Sequence, residues 1–239
     1  MFVVIFEVLP HNLDTYFSHA ASLRPILQQI PGFVDNIRYR SLTRQGALLS
    51  VSTCATEKAL VRWRTTEKHW LVQEKGRQSI LQDYHLRVGQ VVSDSTSADG
   101  PNKEDERTDA TEVGQGNAAV LIEAELGEEW VKQHKDDSKA VATQMGCGEK
   151  YLGKSEEAMV AWDLLEAALT PGSLIMLASF RDVHAAEEFL NKAKLPAGAR
   201  SRVVRVVRDY GMFDRREAPQ YHGPVPESNN VQHKQTLYT

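Results

Sequence analysis

Apolar residues from Phe2 to Leu9 fall on both alternating faces of the segment, and only Glu7 interrupts them. That pattern predicts a strand covered on both sides. From Leu13 the spacing changes. Leu13, Tyr16, Phe17, Ala20, Leu23, Leu27 and Ile30 recur at helical intervals, with Asn12 as N-cap and Pro31-Gly32 as the stop. Phe33 to Thr43 and Ala47 to Cys54 read as two further strands joined by a turn at Gln45-Gly46. Thr56 is placed to cap a helix carrying Leu60 and Trp63. A further helical piece runs from about Glu67 to Lys75 and ends at Gly76, and Ser79 to Val92 reads as the last strand.

The same pattern returns. Leu169 to Ser179 echoes Leu42 to Thr53 as a turn followed by an apolar strand, and Phe189 falls where Trp63 falls. Val120 to Leu126 reads as a strand with Glu125 in the place of Glu7. Trp130, Val131, His134, Val141 and Met145 lie at helical spacing in one helix that Gly146 and Gly148 interrupt. Met159 to Ala168, Leu174 to Phe180 and Arg202 to Val207 read as strands, with a short helix from His184 to Ala193. The second copy lacks about half of the span that runs from Thr65 to Asp83 in the first.

The order strand, helix, strand, strand, helix, strand is the ferredoxin-like motif. Its four-stranded sheet carries helices on one face and leaves the other bare, and a second sheet is the natural cover. The expected architecture is therefore α+β: two ferredoxin-like βαββαβ units packed sheet to sheet as a single-chain α/β barrel. The units span 1–92 and 118–213. Between them, 93–117 holds seven acidic and two basic residues with few apolar ones, and reads as a disordered linker. The polar tail 214–239 is either disordered or draped over the body.

Composition narrows the function classes. The apolar and charged fractions, 41% and 25%, are those of a soluble globular protein. A net charge of −4 gives no nucleic-acid footprint. Met1 to Phe6 is too short for a signal peptide or a membrane span. Two cysteines, Cys54 and Cys147, are too few for a disulfide framework. A cytoplasmic location is the default, with export by a route lacking a signal peptide left open. No HExxH, CxxC, P-loop or GxGxxG pattern occurs, which argues against a metal or nucleotide cofactor.

Several runs carry a resemblance. Trp63-Arg64-Thr65-Thr66-Glu67-Lys68-His69, Gln73-Glu74-Lys75-Gly76-Arg77 and Asp83-Tyr84-His85-Leu86-Arg87-Val88 resemble the antibiotic biosynthesis monooxygenase (ABM) domain of the dimeric α/β-barrel group. Arg205 to Asp214 resembles the back half of tandem members. The resemblance covers most of 1–92 and, more weakly, 118–215. It implies two units forming one barrel, usually from two chains and here from one. The assembly it implies is a monomer acting as a pseudo-dimer, with a homodimer left open. It also implies small monooxygenases that use molecular oxygen without metal or flavin on aromatic or quinol-like substrates. Other members degrade haem, and some tandem fungal members are linked to hydroxylation of the oxylipin jasmonate.

Chemistry of that kind needs a base, a dry apolar cavity and donors for developing negative charge. Trp63 is the first candidate, since in the resembling enzymes a tryptophan on this helix faces the substrate; the plain alternative is a core side chain. His69 titrates near neutrality and is a candidate base. It shares a pocket with Trp63 only if the helix bends or breaks between them, and otherwise it is a surface histidine. Arg77 is a candidate for holding a carboxylate or oxyanion, against a solvated arginine near a helix end. Asn36, Trp70, Gln73 and Tyr84 are candidate substrate contacts, although Asn36 also fits an exposed edge. Tyr84 and His85 point to opposite faces, so only one belongs to the pocket. Glu7 would act as a base if burial raised its pKa, but its recurrence as Glu125 favours a structural pairing with an arginine. Cys54 reads as a small core residue, and Cys147, between two glycines, as exposed.

The leading expectation is a cofactor-independent monooxygenase acting on a small apolar substrate, with its pocket in the first unit. The first alternative is a non-catalytic small-molecule-binding or interaction protein with the same barrel. The second is a haem-degrading enzyme. Haem is disfavoured by the resemblance itself: the expected iron ligand is a histidine where Gln73 stands, with His69 a turn away as the one substitute, and the expected first-strand asparagine is replaced by Glu7.

Overall fold

Alternate side chains of the first strand enter two environments. Val3 and Ile5 join an apolar cluster with Leu49, Val51, Leu121 and Val204. Val4 and Phe6 face the other way, toward helices. The computed structural model describes residues 1–97, 107–148 and 159–225. The first half runs β1 (Phe2–Pro10), α1 (Leu13–Leu27), β2 (Phe33–Ser41), β3 (Leu48–Cys54), α2 (Glu57–Arg64), α3 (Glu67–Lys75), a π-helical turn (Gly76–Ile80) and β4 (Leu81–Asp94). The second half runs β5 (Ala118–Glu125), α4 (Glu128–His134), α5 (Ser138–Gln144), β6 (Met159–Ala167), β7 (Ser173–Phe180), α6 (Val183–Lys192) and β8 (Arg200–Gly211). Where one interrupted helix was expected after β5 there are two, because Asp137 caps the second with its side chain on the Ala140 N–H.

The eight strands are hydrogen-bonded into one closed barrel in the order β1-β3-β2-β6-β7-β5-β8-β4. All pairings are antiparallel. The class is therefore α+β as expected. Two seams close the circle. One is short, at Tyr39–Ser41 against Leu165–Ala167; the other is long, between β4 and β8. At the long seam a Cβ on Gly89 would lie 2.3 Å from Val204 Cγ1 and 2.7 Å from the Arg205 carbonyl oxygen. The absence of a side chain there lets the two strands approach.

Register corrects one sequence expectation. β1 begins pairing with β3 at Phe2–Cys54, and β5 with β7 at Ala118–Phe180. Counting on from those pairs sets Glu7 opposite Leu49 and Glu123 opposite Ile175. Glu123, not Glu125, occupies the place of Glu7, and Glu125 is exposed at the strand end.

Both inner glutamates are paired within the barrel. Arg87 Nη2 lies 2.5 Å from Glu7 Oε2, and Arg202 Nη2 lies 3.0 Å from Glu123 Oε2. Each arginine also reaches the other half. Arg87 donates to Ser179 Oγ at 2.5 Å and Arg202 to Thr53 Oγ1 at 3.2 Å. Arg44 adds a second cation on Glu7 at 2.8 Å and binds Asp163 at 2.6 Å. His85 turns inward, with Nε2 2.6 Å from Asp209 and Nδ1 3.5 Å from Glu7. Burial alone would raise the Glu7 pKa, but Arg87, His85 and Arg44 outweigh it and hold the carboxyl well below the usual range. Glu7 is thus a permanent anion rather than a base with a raised pKa.

The helices of the second half pack closely on the barrel. Val120, Ile122, Val131, Val141, Met145, Phe180 and Phe189 form one buried cluster. Cys147 belongs to it and is fully buried, contrary to the expected exposure, and burial pushes its thiol up to about 11. The acidic linker is packed where it is described: Thr111 and Val113 are buried, and Arg107 pairs with Glu57 and Asp109. The expectation of disorder for 98–106, and that for the tail 226–239, fall outside the described residues. From Asp214 to Val225 the tail lies over the first half. Among the described residues no helix is long and apolar enough to cross a membrane.

Candidate functional site

In the first half the helices leave a hollow against the barrel. A cavity of about 230 Å³ lies between α1–α3 and the outward face of the sheet. Val4, Phe6, Leu23, Leu60, Ile80, Leu86 and Val88 give it an apolar wall. Trp63 and Phe189 stand at matching places, each on a helix whose cap accepts the N–H three residues on: Thr56 from Ala59, Asp182 from Ala185. Phe189 packs against Phe180 at a centroid distance of 5.2 Å in the filled half, whereas Trp63 borders the cavity.

The helix does break between Trp63 and His69. α2 ends at Arg64, and Thr65 and Thr66 turn their hydroxyls back to the carbonyls of Val61 and Arg62. The break folds His69 onto Trp63, with ring centroids 3.9 Å apart and planes 13° from parallel. His69 Nδ1 lies 3.1 Å from the Trp63 carbonyl oxygen. A carbonyl only accepts, so this bond calls for the proton on Nδ1 with Nε2 as the acceptor, whereas the Gln73 amide nitrogen, 3.0 Å from Nδ1, calls for the opposite tautomer. The same Gln73 nitrogen lies farther from the His69 Nε2, at 3.4 Å. Burial pulls the His69 pKa down to about 4, and the bond to Trp63 offsets this only in part. At neutral pH the ring is neutral, able to accept a proton and unable to donate one as an acid.

That depressed pKa has a consequence for stability. Between its ordinary value of 6.5 and about 4, the unfolded chain binds the His69 proton and the folded chain does not. The contribution is fully present above pH 6.5 and is lost as pH falls toward 4, by about 3 kcal/mol. Urea unfolding of the wild type and His69→Phe at pH 7 and pH 4.5 should show a steeper acid loss for the wild type. Equal losses would overturn the assignment.

Arg77 is not the solvated arginine of the alternative view. It is 5% exposed, and its Nη1 donates to Tyr84 Oη at 2.9 Å and to the Met212 carbonyl at 2.8 Å. Tyr84 lines the cavity while His85 faces the barrel interior, which settles the choice between them. A second guanidinium reaches the same phenol: Arg215 Nη1 lies 2.6 Å from Tyr84 Oη. Asn36 lines the cavity from β2, but its amide donates to Ser50 Oγ and Ser52 Oγ, each at 2.8 Å. The donors it was expected to offer a substrate are already engaged. Gln73 lines the cavity beside His69. Trp70 does not; it stacks on His222, which does, at 5.7 Å. One residue on from His69, Trp70 is rotated about 100° around the helix, away from the cavity.

The sequence expectations missed the contribution of Arg38, Arg208 and Tyr210 from the strands, and of Arg215, Gln220 and His222 from the tail. Arg38 and Arg208 carry a signal in hindsight, as charges in otherwise alternating strands. The tail carries none, since a polar run without periodicity gives no hint of where it docks. Among the described residues no cluster of His, Cys, Asp and Glu is arranged to hold a metal ion.

Comparison with known proteins places this architecture. No family model matches the sequence. The jasmonate monooxygenase ABM of Pyricularia oryzae is 42% identical over 232 residues, spanning 94% of this chain and all of that protein. Among solved structures, an aldoxime dehydratase in complex with butyraldoxime matches 89% of this chain and 80% of its own, with a TM-score of 0.51 and 11% identity, which speaks to the fold alone. An anthrone oxidase-like protein matches 92% of this chain and 96% of its own at 12% identity and a TM-score of 0.34. With identity at that level along nearly its whole length, the chain belongs to the family of ABM monooxygenases that includes the Pyricularia jasmonate monooxygenase.

Proposed function

We propose that this protein is a monooxygenase needing neither metal nor organic cofactor, and that it oxidises a small, mostly apolar molecule in the first-half cavity. The observation that carries this is the hollow beside Trp63 and His69, whereas, among the described residues, the matching Phe189 is buried in an apolar cluster. An oxylipin such as jasmonate is the substrate class, taken from the relative's name. The barrel is proposed to be two βαββαβ units of one chain acting as a pseudo-dimer. The repeated element order, the matching registers and the crossed arginine bonds support that view.

Without a cofactor the substrate supplies every electron. His69 Nε2 takes a proton from a carbon next to a carbonyl, and the enolate so formed passes one electron to oxygen. The two radicals combine into a hydroperoxide at that carbon, with the proton returned to the peroxide. Loss of water then leaves a new carbonyl, so a CH₂ group and O₂ give C=O and H₂O. Trp63 and the apolar wall keep solvent away from the enolate, and the cavity's arginines stabilise its charge. Converting C–H to C–OH instead would require two electrons from a separate reductant.

The test offers the chelator-treated full chain jasmonic acid under ¹⁸O₂, with and without ascorbate. A product carrying ¹⁸O without ascorbate supports the proposal. Product only with ascorbate overturns the cofactor-independent step while leaving a monooxygenase. Binding with no product in either arm supports the binding-protein alternative. Haem degradation gains nothing from the structure. Gln73, at the position expected for the iron ligand, contacts His69, whose Nδ1 is held by the Trp63 carbonyl.

A further inference from the structure

One end of the cavity is charged in a way its own residues do not balance. Among the described residues six arginines line the cavity against one carboxylate, Glu57, and that carboxylate is paired with Arg107 at 2.6 Å. The imbalance is sharpest around Tyr84. Arg77 and Arg215 both donate to its oxygen, at 2.9 Å and 2.6 Å, so two guanidiniums share one phenol oxygen. Among the described residues neither arginine forms an ion pair. Arg77 is more than nine-tenths buried, and its Nε has no hydrogen-bond partner. His222, stacked on Trp70 beside them, has a buried Nδ1 that is likewise unpartnered. Burying like charges together is costly unless an anion joins them. A carboxylate supplies what is missing, since two oxygens can accept from several guanidinium N–H groups at once.

We propose that Arg77 and Arg215, set around Tyr84, form a carboxylate subsite that selects apolar free acids over their esters. The proposal rests on the first-half cavity being the substrate site. It gives the C-terminal segment a direct role, because Arg215 lies beyond the last strand and is held there by the Gln220 carbonyl at 2.9 Å. The rest of the cavity then receives the apolar body, with the reacting carbon directed toward His69 and Trp63.

Binding separates the outcomes without relying on turnover. Jasmonic acid and methyl jasmonate are titrated into the full chain by calorimetry. The acid should bind about 10-fold or more tightly than the ester, the gain from a charge-assisted hydrogen bond. Arg215→Gln should weaken the acid by a similar factor and leave the ester unchanged. Arg77→Gln should do the same, with its melting temperature measured alongside because the residue is buried. If the partly buried Arg215→Gln variant folds normally and the acid still binds as in the wild type, the subsite is overturned. Equal affinity for acid and ester in the wild type overturns it too, while leaving the cavity as an apolar substrate site. If neither probe binds, the cavity itself is not the oxylipin site, and the functional proposal fails with the subsite.

Discussion

Glu7→Ala should lower the unfolding free energy by about 3–5 kcal/mol, the range found when one partner of a buried ion pair is removed. Glu7 is nearly buried inside the barrel, and three groups depend on it: Arg87 at 2.5 Å, Arg44 at 2.8 Å and His85 at 3.5 Å. Arg44 retains Asp163 and His85 retains Asp209. Among the described residues Arg87 retains the hydroxyl of Ser179 and no second carboxylate. The loss therefore comes mostly from a buried guanidinium left without an anion, not from the attraction the pair provided. This makes a sharper expectation for the double variant. Glu7→Leu with Arg87→Met removes both charges and should be less destabilised than the sum of the single changes. Urea unfolding at pH 7 measures both. A Glu7→Ala loss below about 1 kcal/mol would mean that water reaches the barrel interior and screens the charge.

His69→Ala should cut turnover of an oxidisable substrate by about 10²- to 10⁴-fold, the usual contribution of a positioned general base. The expectation depends on geometry before pKa. His69 is the titratable ring stacked on Trp63 in the cavity wall, held by the Trp63 carbonyl and the Gln73 amide. The pH profile adds a separate signature. A base with its pKa at about 4 stays in its active form well below neutrality, so kcat/KM should hold down to that region before falling. An ordinary histidine would impose its limb near 6.5. His69→Gln distinguishes a base from a spacer, since glutamine fills the same space and accepts a hydrogen bond but takes no proton. Retention of wild-type turnover in His69→Gln would remove the residue from the chemistry and leave it as a wall.

The sequence made the strands legible because their patterns are strong, and the barrel interior repeats the alternation of the first few residues of β1. Six of the seven candidate contacts, Trp63, His69, Arg77, Asn36, Gln73 and Tyr84, lie around one cavity. They sit on elements whose type could be read from spacing and caps. What escaped had physical reasons. Glu125 and Glu123 lie on the same face of a strand with a two-residue period, so alternation alone cannot separate them, and only pairing register does. Trp70 is next to His69 in sequence and on another side of the helix in space. Arg215 and His222 belong to a segment with no periodicity, whose position is set by contacts with distant residues such as Tyr84 and Trp70. The cavity itself is invisible to pattern, since a hollow and a filled core use the same apolar positions.

The crossed bonds from Arg87 to Ser179 and from Arg202 to Thr53 bear on how the protein comes apart. Each half lends the other a hydroxyl at a place where water does not reach, and Arg202 is 1% exposed. If either half opened alone, the arginine of the other would keep its carboxylate, Glu7 or Glu123, but lose its hydroxyl partner across the seam. Closure of the barrel at both seams and these crossed bonds predict that the two halves unfold in one cooperative transition.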